Sequence, residues 1–243
     1  MDPHLARLWR HRGLTLPTPR RGPRQQLDLD DILDTAIAIA DTSGLDAVST
    51  RAVAARFDKT AMALYPYVGD KENLLALMQD HAAPLPAPAP GDLRAWATAL
   101  YEVYLAHPWL TERSWARSSQ GPNEQDWMES LLGILDRLGV DPVMRAPAVT
   151  MLYATTRATA QTAAAYQHLT AADEEAWVAR ATAIPDFAER YPLSTALPPV
   201  TADWREAPFA GLMAAVDVLA AGLGLSPDDP RPGGSAARPG PQG

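Results

Sequence analysis

Thr50 and Arg51, then Lys59, Thr60, Ala61 and Met62, then Tyr65, Tyr67 and Lys71 are the residues whose types and spacing best suit a chemistry. That chemistry is recognition rather than bond breaking. Hydroxyls, tyrosine rings and cations at such intervals hold phosphates, and short side chains at a helix start approach base edges. Catalytic constellations are missing by comparison. The sequence holds no Gly-x-Ser-x-Gly elbow, His-Glu-x-x-His pair, phosphate-cradling glycine loop or dinucleotide fingerprint. There is no cysteine, and the five histidines are scattered without ligand spacing. No catalytic residue, metal site or cofactor is therefore expected.

The elements that must position these groups follow from periodicity. Leu29, Ile32, Leu33, Ala36, Ile37 and Ala40 recur at helical spacing, with aspartates in the first turn, and Gly44 closes the helix. Ser49 or Thr50 caps a short second helix that buries Val53, Ala54 and Phe57. Thr60 caps a third, running to about Tyr67. Asp70 caps a fourth that places Leu74, Leu75, Leu77 and Met78 on one face. Two short helices joined by a tight turn, after a longer one, make a helix-turn-helix unit whose second short helix would enter a major groove. An ordinary three-helix bundle shows the same periodicity, so pattern alone leaves both readings open.

Charge favours a polyanion at one end only. The whole chain carries a formal charge of −8, which argues against nonspecific coating of nucleic acid. Residues 1–24 hold six arginines against Asp2, and residues 51–71 hold Arg51, Arg56, Lys59 and Lys71 against Asp58 and Asp70. Residues 84–243 carry 11 basic and 18 acidic side chains.

The organisation expected is all-α. Residues 1–26, broken by Pro3, Pro17, Pro19 and Pro23, read as a flexible basic arm that brings Arg20, Arg21 and Arg24 to the DNA. Residues 27–83 form the helix-turn-helix domain, and the alternating prolines of 84–90 make an extended connector. Residues 92–223 form a second domain, with helices near 92–106, 109–118, 123–138, 143–169, 173–183 and 203–223. Residues 226–243 read as a disordered tail. No stretch is long and apolar enough to span a membrane, and a cytoplasmic location is the simplest reading.

The run from Leu27 to His81 resembles the DNA-binding domain of the tetracycline-repressor family. The matching stretches are Gly44-Leu45-Asp46-Ala47-Val48-Ser49-Thr50-Arg51, Val53-Ala54, Thr60-Ala61-Met62-Ala63-Leu64-Tyr65, Tyr67-Val68 and Lys71-Glu72-Asn73-Leu74-Leu75. The resemblance implies that Thr50 binds phosphate and that Arg51 reaches a base edge or phosphate. It implies that Thr60, Ala61 and Met62 face bases, that Tyr65 and Tyr67 touch the backbone and that Lys71 pairs with phosphate. Three positions depart from the family's pattern. Asp58-Lys59 replaces a glycine and an aliphatic residue in the turn, and Pro66 falls inside the recognition helix.

Leu105-Ala106-His107-Pro108-Trp109-Leu110 and Gly121-Pro122-Asn123 resemble the subgroup nearest the tetracycline repressor itself, with a ligand-binding and dimerising second domain. Trp109, Trp115, Trp127, Met128 and Tyr153 are candidates for an adaptable pocket lining. His107, Arg117, Asn123, Arg157 and Gln161 are candidates for orienting polar groups, and core packing explains each of these residues as well. The resemblance implies a ligand-responsive repressor that binds a palindromic double-stranded DNA operator as a homodimer and is released by a small-molecule effector. A small-molecule-binding helical protein with impaired DNA binding is the alternative that Asp58, Lys59 and Pro66 keep open.

Overall fold

The computed structural model describes residues 2–14, 27–113 and 118–225, and every regular element among them is helical. The chain start departs from expectation. Residues 2–14 are no free arm: Asp2 accepts from the His4 amide at 2.9 Å and caps α1 (Pro3–Leu8), and a 3-10 turn follows at Arg10–Arg12. Pro3, counted above as a breaker, sits at the first helical position, where its missing N–H has no partner to lose. Ala6 and Leu8 are buried. Arg20, Arg21 and Arg24 lie outside the described residues, as do residues 226–243.

The next four helices are α2 (Leu29–Ser43), α3 (Thr50–Ala55), α4 (Ala61–Val68) and α5 (Lys71–His81). Side chains start three of them. Asp28 caps α2 through the Asp30 amide, Ser49 caps α3 through Ala52 at 3.0 Å, and Asp70 caps α5 through Asn73 at 2.8 Å. Ile32, Leu33, Val48, Val53, Leu64, Val68, Leu74 and Met78, none more than 1% exposed, fill the space between these helices.

The proline-rich connector is non-helical, as expected. Beyond it come α6 (Leu93–Ala106), a 3-10 turn at Pro108–Glu112, α7 (Pro122–Arg137) and α8 (Pro142–Tyr166). Of the helix expected over 109–118, the described residues up to Arg113 form that 3-10 turn, which Pro108 starts and after which Arg113 has extended backbone. The short helices α9 (Ala171–Thr182), α10 (Phe187–Arg190) and α11 (Pro192–Ala196) precede α12 (Ala207–Gly222), which packs on α6 and α8. The connector does not divide the core. Buried residues run without a break from Leu8 and α2 through α5 to Leu131, Leu152 and Val216.

Candidate functional site

The turn between α3 and α4 forms despite its unusual residues. Asp58 takes the left-handed backbone that the missing glycine would have taken, with φ 54°. The Lys59 amide then bonds back to the Ala54 carbonyl at 3.0 Å, and Lys59 itself stays exposed. Pro66 deprives α4 of one hydrogen bond, yet the helix continues to Val68 and ends on Gly69, whose φ of 73° suits glycine.

That geometry sorts α4 into two faces. Leu64 and Val68 are fully buried, whereas Met62 is 74% and Tyr65 43% exposed. Thr60 occupies the N-cap position, and its side chain makes no capping hydrogen bond. Arg51 on α3 and Lys71 at the start of α5 are also exposed, with Thr50 and Ala61 half-buried. Tyr67 is half-buried, and its hydroxyl accepts from the Leu27 amide at 3.3 Å, pinning the chain where it enters α2. The result is a solvent-facing helix start, flanked by cations and backed by a rigid core.

Two adjoining cavities open beside α8, an inner one walled by α5, α6, α7 and α8 and an outer one between α8 and the Pro108–Glu112 turn. The inner one, about 80 Å³, has Leu100, Tyr104, Trp127, Ser118, Ser119 and Arg113 in its walls. The outer one, about 590 Å³, runs along α8 past Thr111, Val149 and Gln161. Tyr153 and Arg157 line both. Behind two of these lining residues the fully buried Trp96 sets its ring edge-on to Trp127 and Tyr153, at centroid separations of 5.6 and 4.8 Å. Burial pushes the Tyr104 hydroxyl up to about 12, against the pull of the nearby Arg157 charge, and burial raises Tyr153 as well. Both phenols are therefore neutral hydrogen-bonding groups. Arg157 is held by the Thr111 carbonyl, which accepts from its Nε at 2.8 Å and from an Nη. Among the described residues it has no carboxylate partner.

The remaining sequence candidates lie at joints. His107 and Trp109 turn away from the cavities to the Asp41 carboxylate at the end of α2, at 2.9 and 2.8 Å. The Asn123 side chain donates to the Asp80 carbonyl at 2.8 Å, and Met128 packs on the core. Trp115 and Arg117 lie outside the described residues. Sequence reading missed Tyr104, Arg113, Ser118, Ser119 and Glu124. Only Tyr104 carried a signal, an aromatic on the apolar face of α6; the rest converge through tertiary packing.

Residues 86–210 match a family described as tetracyclin repressor-like, C-terminal domain. The chain belongs to the tetracycline-repressor family. It is 38% identical over 134 residues to the HTH-type transcriptional repressor DrrR1 of Streptomyces coeruleorubidus, and the match spans about half of each, 51% of this chain and 49% of the relative. The fold is similar to apo ActR from Streptomyces coelicolor, with 27% identity, a TM-score of 0.67, and coverage of 82% of this chain and 97% of that one. It is equally similar to ActR in complex with actinorhodin, with 26% identity, a TM-score of 0.67, and coverage of 84% and 100%. Among the described residues no helix is long and apolar enough to cross a membrane.

Proposed function

We propose that the chain is a ligand-responsive transcriptional repressor that binds a palindromic operator as a homodimer and leaves it when an aromatic, anionic effector enters the second domain. One observation carries the DNA half of this reading: α4 buries Leu64 and Val68 completely while holding Met62 and Tyr65 in solvent. The helix so exposed is bracketed in sequence by the exposed cations Arg51, Lys59 and Lys71, which suit phosphates. The intact Asp58 turn speaks against an impaired reader. Exposed Met151 on α8 and Val218 on α12 are suited to a partner subunit.

The effector's chemistry follows from its walls. The outer cavity, about 590 Å³ and so drug-sized, offers Tyr153 and Val149 to a planar aromatic body, and the inner one beside it adds Tyr104 and Trp127. The half-buried Arg157 guanidinium, with no carboxylate partner among the described residues, favours an anionic group on the ligand. That DrrR1 is a transcriptional repressor and that ActR forms a complex with actinorhodin support the reading of a repressor with a small-molecule effector. The test is titration with anthraquinone-2-carboxylate and with neutral anthraquinone. Arg157→Gln should weaken the acid about tenfold and the neutral compound less than twofold. Equal losses for both would remove the anion from the proposal.

A further inference from the structure

The first residues of the chain lie outside the three-helix reader, yet they touch both halves of the molecule. Arg7 donates to the Pro66 carbonyl at 3.1 Å, in the last turn of α4. Arg10 donates to Asp30 of α2 and contacts the His81 ring of α5 at 3.2 Å. Trp9 donates its indole N–H to the Gln120 carbonyl at 3.0 Å, and Arg12 pairs with Asp126 of α7. Leu8, 3% exposed, sits in the shared core between these anchors.

Gln120 belongs to the cavity rim. It takes a left-handed backbone, φ 57°, within the loop whose Ser118 and Ser119 line the inner cavity. The Ser119 amide, at 2.7 Å, and both serine hydroxyls donate to the Glu124 carboxylate. One side of this loop therefore faces the effector space and the other side holds Trp9. An effector seated in the outer cavity that extends past Tyr153 and Arg157 into the inner one, at about 80 Å³, must displace that rim. A shift of an ångström or so at Gln120 would break the Trp9 bond or draw α1 along with it.

We propose that residues 2–13 are a coupling strap, which carries the state of the cavity rim directly to the carboxyl end of the recognition helix, in parallel with α5. The proposal rests on the repressor reading for its purpose but not for its test. The strap is held firmly enough to transmit and loosely enough to let go. His4 Nδ1 and Arg7 Nε are buried without a hydrogen-bond partner, which leaves docking short of its best. Arg7 suits the other end of the path, since a cation at a helix carboxyl end opposes the negative pole there and satisfies an orphan carbonyl.

Hydrogen exchange on the full chain tests the strap without DNA or effector. Trp9→Phe and, separately, Arg12→Ala alter only the rim end. Each should speed exchange at the Val68 and Gly69 amides of α4 at least fivefold, with deep α2 amides such as Leu33 and Ala36 within twofold of wild type. Arg7→Gln should act in reverse, on the Ser119 and Gln120 amides. Far-end amides within twofold of wild type in all three variants would overturn the strap, whether or not the near end responds. Acceleration that includes the α2 amides would also overturn it, because it would mean general loosening. Should no DNA sequence bind the wild type, the repressor reading fails while this exchange result stands.

Discussion

The Asp80 carboxylate accepts from the Glu124 amide at 3.1 Å, so α5 supplies from another domain the cap that the amino end of α7 lacks in its own sequence. Gly121 occupies the N-cap position, and a Cβ there would lie 2.2 Å from the Asp80 carboxyl. The close approach, rather than an unusual backbone angle, requires glycine. Beside it the Trp127 indole donates to the Ala83 carbonyl at 2.9 Å, and the Asn123 side chain reaches the Asp80 carbonyl. This joint ties the helix that follows the DNA reader to the helix that lines the cavity.

Gly121→Ala should therefore open the joint. The methyl group cannot fit without displacing Asp80, so stability should fall by about 1–3 kcal/mol. Urea unfolding at neutral pH measures it; a change below about 0.5 kcal/mol would mean that α5 and α7 are not so tightly apposed.

Asp80 also makes stability depend on pH. Burial pushes its carboxyl up to about 6, against the hydrogen bonds from Glu124 and Asn123 and the Arg10 charge. An unfolded aspartate ionises near its usual value of 3.8, so between there and about 6 the folded state holds the proton longer. Stability from this group is present below that window and is lost as pH rises through it, on the order of 3 kcal/mol in all. Asp80→Asn cannot titrate. Relative to wild type it should gain stability between pH 4.5 and 7.5, and a constant difference across that range would refute the assignment.

Asp58→Gly should stabilise the reader by about 0.5–1 kcal/mol, because glycine accepts the left-handed backbone that aspartate tolerates at a cost. Operator affinity should not fall. A destabilised variant would show that the Asp58 side chain holds the turn in some other way.

Much of the reader was legible because its signals are local. A cap at Ser49 or Thr50, the cap at Asp70, the apolar stripe of α2 and the stop at Gly69 are each read within a few residues. The second domain gave up its long helices for the same reason, but its site is tertiary. His107 and Trp109 had the composition of pocket residues, and only packing reveals that Asp41 claims both. Residues 2–14 misled because Pro3 and three arginines look unstructured, while burial of Ala6 and Leu8 and the ion pairs of Arg10 and Arg12 depend on distant partners.

Arg51→Ala separates recognition from folding. Arg51 is exposed and outside the core, so thermal stability should stay within about 0.5 kcal/mol of wild type. Operator binding should weaken by about 1–3 kcal/mol. A lower melting temperature with intact DNA affinity would place Arg51 in the scaffold instead.

The central claim, that α4 reads DNA sequence, is tested most directly by selecting duplexes from a random pool with the full-length protein and measuring binding by fluorescence anisotropy at physiological salt. The account predicts an inverted repeat with half-sites about one helical turn apart, bound by two protomers. The selected duplex should bind at least about 10³-fold more tightly than scrambled DNA, and Met62→Glu should abolish that preference. Recovery of no common sequence, or equal affinity for selected and scrambled duplexes, would contradict it.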